Sequence, residues 1–117
     1  MSEDQRREPR ISRGFMIRYR AAGDASGWLV SPLRDLSRSG ARFFSERAFD
    51  VGTVLDAFLV LPASDAPVAL QATVARSQPG PLGMAELGVA FQPPDTVAQG
   101  AINAAVARFL ARGSGRA

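Results

Sequence analysis

The run Asp35-Leu36-Ser37-Arg38-Ser39-Gly40 combines three useful chemistries at the end of a strand-like stretch. A carboxylate accepts hydrogen bonds, a hydroxyl donates and accepts, and a glycine admits positive φ or a close backbone approach. Asp35 and Ser37 are two residues apart, so on an extended backbone their side chains share a face. The plain alternative is a turn in which Asp and Ser bond their own backbone. Nearer the start, Arg6-Arg7-Glu8-Pro9-Arg10 sets Arg6 and Arg10 four residues apart with Arg7 between them. On an extended chain that spacing is about 13 Å. Two guanidinium forks so separated can grip different anionic groups of one ligand, because each fork pairs bidentately with a phosphate or a guanine edge.

Composition narrows what such a site can do. The 117 residues include no cysteine and no histidine. Thiolate zinc sites, disulfides, cysteine nucleophiles, imidazole ligands and the Ser-His-Asp triad are therefore excluded. No nucleophile–base pair can be assembled, and the reading is a binding module, not an enzyme. The scattered acids show no metal-ligand spacing, and no cofactor is expected. All 14 basic residues are arginine and the formal net charge is +3. That charge is unevenly spread. Residues 1–47 carry ten arginines against six acids, whereas residues 48–107 carry one against five. An anionic partner is thus expected at the beginning of the chain. No apolar run approaches the roughly 20 residues of a membrane span, and the polar N-terminus lacks a signal-peptide core, so a cytoplasmic address is expected.

The elements that must position these residues follow from periodicity. Residues 1–13, with one large apolar residue, Ile11, read as a flexible or extended arm, the plain alternative being a disordered basic tail. Phe15–Arg20 alternates as a strand. Trp28–Leu36 reads as a second, with Pro32 marking a bulge or an edge. Ala41–Ser45 follows the Ser37–Gly40 turn. Thr53–Leu61, Val68–Arg76 and Met84–Gln92 each alternate apolar and polar positions, with a loop at Gln78–Gly83. After Pro93-Pro94, Thr96 and Gln99 form a capping-box pattern. Val97–Arg112 then reads as an amphipathic helix with Ala98, Ile102, Ala105 and Phe109 on one stripe, Gly113 as its stop and 113–117 as a frayed tail. Six short strands and one helix imply an all-β, six-stranded antiparallel barrel over residues 14–112, since closure hides sheet edges.

Taken together, the two motifs make the chain resemble the PilZ domain family. The resemblance rests on R-x-x-x-R (Arg6, Arg10) followed by D-x-S-x-x-G (Asp35, Ser37, Gly40), with TVLDAFLVLP, VALQATVAR and LGVAF matching the downstream layout. It runs from about Arg6 to Phe91. Ser39 stands where many members carry a second glycine, and Pro9 stiffens the arm. The resemblance implies binding of cyclic di-GMP, a bacterial second messenger with two guanines, two phosphates and a charge of about −2. It implies that Arg6 and Arg10 hold phosphate and the guanine edge, with Arg7 on a guanine or a phosphate. Asp35 would accept from guanine N–H groups, Ser37 would add a hydrogen bond, and Gly40 would admit the ligand to the backbone. The arm would order on binding, and the changed surface would be read by a downstream protein.

Other residues carry weaker signals. Arg38 and Arg42 flank the turn and read as solvated charge. Arg76 is a candidate border of the site, and Trp28 and Phe58 read as packing residues before stacking platforms. Two further functions remain open: a PilZ-fold protein-interaction adaptor indifferent to the nucleotide, and a nucleic-acid-binding small barrel. The latter is disfavoured by the acidic later strands and the few aromatics.

Overall fold

A computed structural model describes residues 15–25, 27–61, 66–93 and 95–116. Seven strands form in chain order: β1 Met16–Ala21, β2 Leu29–Pro32, β3 Asp35–Leu36, β4 Gly40–Ser45, β5 Val54–Val60, β6 Val68–Pro79 and β7 Ala85–Gln92. A 3-10 turn at Pro81–Gly83 joins the last two, and helix α1 spans Thr96–Arg116. The strands pair in the order β2-β1-β5-β6-β7-β4-β3, every pair antiparallel. The sheet curls into a half-barrel whose inner face is the core.

The expected six-stranded barrel thus becomes a seven-stranded half-barrel, because the expected Trp28–Leu36 strand divides. Pro32 brings no N–H to a ladder. After it the chain changes partners: Leu33 N–H donates to the Phe15 carbonyl and Arg34 N–H to the Arg42 carbonyl, both at 2.9 Å. The stretch before Pro32 therefore pairs with β1 and the stretch after it with β4. The two ends of the sheet order are consecutive in sequence, so this step draws the sheet's ends together.

A buried hydroxyl network holds the same seam. The Tyr19 hydroxyl donates to Ser45 Oγ at 2.8 Å and lies 3.2 Å from Ser31 Oγ. Ser31 Oγ donates to the Phe44 carbonyl at 2.8 Å, and Ser45 Oγ to the Arg47 carbonyl at 2.7 Å. These bonds join β1, β2 and β4 and satisfy polar groups that would be costly to bury alone.

The inward positions read from alternation are inward. Phe15, Ile17 and Tyr19, Leu55, Ala57, Leu59 and Leu61, Val68, Leu70, Ala72 and Val74, and Leu87, Val89 and Phe91 are all buried. Ala98, Ile102 and Ala105 bring α1 onto this core, and Phe109 meets Phe15 edge-on at 5.0 Å between ring centroids. Two details of the helix differ from expectation. Its cap is Asp95, whose Oδ1 accepts from Ala98 N–H at 2.9 Å, which leaves Gln99 free for another task. It also runs through Gly113 to Arg116, since glycine permits a stop but, with no proline after it, does not impose one.

Candidate functional site

The D-x-S-x-x-G run builds a tight β3–β4 corner. Asp35 pairs with Arg42 and Leu36 with Ala41 across it. Leu36 is buried and anchors the corner, while Asp35 and Ser37 on either side of it are exposed on one face, as their spacing implied. The corner is tied on three sides. Ser37 N–H donates to the Gly40 carbonyl at 2.8 Å, and Gly40 N–H donates to Ser37 Oγ at 3.1 Å. Phe91 N–H donates to the Ser39 carbonyl at 2.8 Å. From α1, Gln99 Nε2 donates to the Arg38 carbonyl at 3.1 Å.

Two of the motif residues therefore serve the fold. Ser37 Oγ also lies 3.2 Å from the Gly40 carbonyl and closes the turn on itself. Gly40 does not have positive φ, and a Cβ there would run into the Val89 carbonyl oxygen. Its close backbone approach is thus to its own neighbouring strand, β7. Asp35 differs from both. Its side chain is 66% exposed, and Arg42 Nε stands 4.0 Å from its Oδ2.

Beside this corner lies an open groove of about 370 Å³, within the usual range for small-ligand sites. Asp35, Ser37 and Gly40 line one side, Arg42 and Arg76 contribute cations, and Gly88 and Ala90 on β7 keep its floor low. Arg76 owes its position to a β-bulge. Alternation through Ala72 and Val74 would carry residue 76 into the core. The register shift between Val74 and Arg76 exposes Ala75 and Arg76 together and turns the arginine outward. An A-R step at the end of an alternating strand is the only signal of this in the sequence.

Glu86 and Gln78 were not singled out by sequence reasoning, yet they set the electrostatics of the groove. Arg42 Nη1 donates to Glu86 Oε2 at 2.7 Å, and Gln78 Nε2 donates to Glu86 Oε1 at 3.0 Å. These two hydrogen bonds, the one from Gln78 first, hold the Glu86 carboxyl below the usual glutamate range. Arg42 is thereby shared between two carboxylates, and the reading of it as solvated charge gives way to an ordered position in the groove. Arg38 is exposed and contributes its carbonyl, not its guanidinium, to the corner. Glu86 faces Phe44 on β4 in the ladder register, so it meets the Arg42 side chain diagonally, a cross-strand contact that needs the register to be seen.

Arg6, Arg7 and Arg10 lie outside the described residues. Their point of attachment does not: the described chain begins at Phe15, whose carbonyl holds Leu33 N–H, two residues before Asp35. The family model of the PilZ domain matches residues 4–108 of the 117. The chain belongs to the PilZ domain family. PilZ domains are in general receptor domains rather than enzymes. The fold agrees: the solved structure of the Bacillus subtilis Inhibitor of motility (MotI/DgrA) superposes with a TM-score of 0.59 at 15% identity, over 82% of this chain. The chain spans 47%, about half, of that protein's length. No curated protein sequence matches it. Among the described residues, no group of acids could hold a metal ion, and no helix is long and apolar enough to cross a membrane.

Proposed function

We propose that this PilZ domain is a non-catalytic, cytoplasmic receptor for cyclic di-GMP, whose N-terminal arm orders on the nucleotide and changes a surface read by a partner protein. The reading is supported by one observation: Phe15, five residues after Arg10 in sequence, accepts a hydrogen bond from Leu33 N–H beside the Asp35 groove. Five residue steps separate Arg10 from Phe15 and reach at most about 18 Å, so the reading needs Arg10 to meet the ligand within that span of Phe15. Arg6, Arg7 and Arg10 would then meet the phosphates and a guanine edge from one side. Asp35, exposed and extended from the corner, would accept from a guanine on the other. Arg42 and Arg76 would add positive potential to a groove that takes a dianion. Ser37 and Gly40 would act chiefly by shaping the corner that carries Asp35.

A second reading, a PilZ-fold adaptor that does not use the nucleotide, draws support from Ser37 and Gly40. Both have complete structural explanations without a ligand. Isothermal titration with cyclic di-GMP, beside GTP and cyclic GMP, separates the two. Saturable heat with cyclic di-GMP alone supports the receptor. No heat at several temperatures, with the domain folded, supports the adaptor.

A further inference from the structure

A second cavity, of about 560 Å³, opens on the outer face of the half-barrel, with Arg20, Trp28, Asp56, Phe58, Gln71 and Gln92 in its wall. Arg18 and Arg20 alternate with buried Ile17 and Tyr19, and in the ladder they face Phe58 and Asp56 of β5. The Trp28 and Phe58 rings stand 5.3 Å apart between centroids. The Arg18 guanidinium lies 5.3 Å from the Trp28 ring and 5.5 Å from the Phe58 ring, and the Arg20 guanidinium lies 4.3 Å from Trp28. Stacking holds the guanidinium faces and leaves their in-plane N–H donors for other partners.

Among the described residues, no carboxylate lies within ion-pair distance of Arg18 or Arg20. Asp56, opposite Arg20, instead accepts from Gln71 Nε2 at 3.2 Å. Arg20 Nε is buried with no hydrogen-bond partner, a costly state for a charged donor.

We infer that this patch docks an acidic segment of a partner protein. Carboxylates would seat on the Arg18 guanidinium and on the terminal nitrogens of Arg20, and an apolar side chain would pack into the cavity beside Ala69, at the rim of the Trp28–Phe58 pair. Charge complementarity selects this occupant. A nucleic acid fits less well, because guanidinium groups already cover the aromatic faces on which bases would stack. Gln92 of this cavity follows Ala90 of the Asp35 groove on the same face of β7, so the two sites are neighbours. The inference goes beyond the nucleotide reading and stands without it.

Trp28 is the only tryptophan, so its emission reports on the patch alone. The full chain is titrated with the peptide Glu-Asp-Leu-Glu-Phe-Asp-Glu, with its counterpart carrying lysine at every acid, and with an oligothymidylate. The expected result is a saturable change in Trp28 emission with the acidic peptide only, weakening as salt rises. Arg18→Gln with Arg20→Gln weakens it at least about ten-fold, as loss of charge-assisted hydrogen bonds implies. Charge reversal at both positions moves the preference to the lysine peptide. Should the double variant not fold, the Arg18→Gln variant and the salt series of the wild type carry the test. No response to the acidic peptide, a response indifferent to salt and to these arginines, or a preference for oligothymidylate overturns the inference.

Discussion

Leu33 N–H donates to the Phe15 carbonyl oxygen at 2.9 Å, and this bond ties the residue before β1 to the link between β2 and β3, two residues before Asp35. Residues far apart in sequence thereby come to one place: Phe15 stands where the chain leaves β2 for β3. In the receptor reading, a ligand held by both motifs would bridge the start of β1 and the β3–β4 corner. Gln99, through the Arg38 carbonyl, would pass any movement of that corner to α1.

The corner depends on Gly40. Its Cβ position is taken by the Val89 carbonyl, so Gly40→Ala must push β4 and β7 apart. Overpacking of this kind costs about 1–3 kcal/mol. Urea unfolding is expected to show that loss in Gly40→Ala, with nucleotide absent.

The buried seam depends on Tyr19. Tyr19→Phe removes the hydroxyl that donates to Ser45 Oγ and leaves the Ser31–Ser45 region short of one partner. The expected cost is about 1–2 kcal/mol, seen as a lower denaturation midpoint with an unchanged slope.

Glu86 restrains Arg42. Its carboxyl is held below the usual glutamate range in the folded state, so it contributes stability above the unfolded value that is lost as pH falls through the folded one. Glu86→Gln should flatten the acid limb of the stability profile. It also removes a negative charge beside the groove and frees Arg42, so the affinity for cyclic di-GMP should rise severalfold when measured by titration at neutral pH.

Leu82 is the one described non-glycine residue with positive φ, at 57°, and it is 96% exposed. A left-handed leucine costs roughly 1–2 kcal/mol, and asparagine tolerates that conformation better. Leu82→Asn should therefore raise the melting temperature modestly, with the β6–β7 hairpin otherwise intact.

Much of this architecture is legible in single-chain periodicity. The apolar alternation of Thr53–Leu61 or Val68–Arg76 needs only one strand to be read, and burial follows it. The division of Trp28–Leu36 was harder. Pro32 marks a break, but which strand each half joins is a tertiary matter decided by the Phe15 and Arg42 carbonyls. Glu86 and Gln78 were invisible for the same reason, since their partner Arg42 lies on another strand. Arg76 was hidden by a bulge that reverses the face its spacing implies. Ser37 and Gly40 illustrate the opposite case: the motif marked them, and the turn and Val89 explain them.

The most direct test of the receptor reading is isothermal titration of cyclic di-GMP into the wild-type chain, Arg10→Ala and Asp35→Ala, with thermal melts alongside. The account predicts micromolar or tighter saturable binding by the wild type. Each variant should fold normally and bind roughly ten- to a hundred-fold more weakly, the loss that follows from removing a charge-assisted hydrogen bond. Wild-type affinity in both variants, or no binding by the folded wild type, would contradict it.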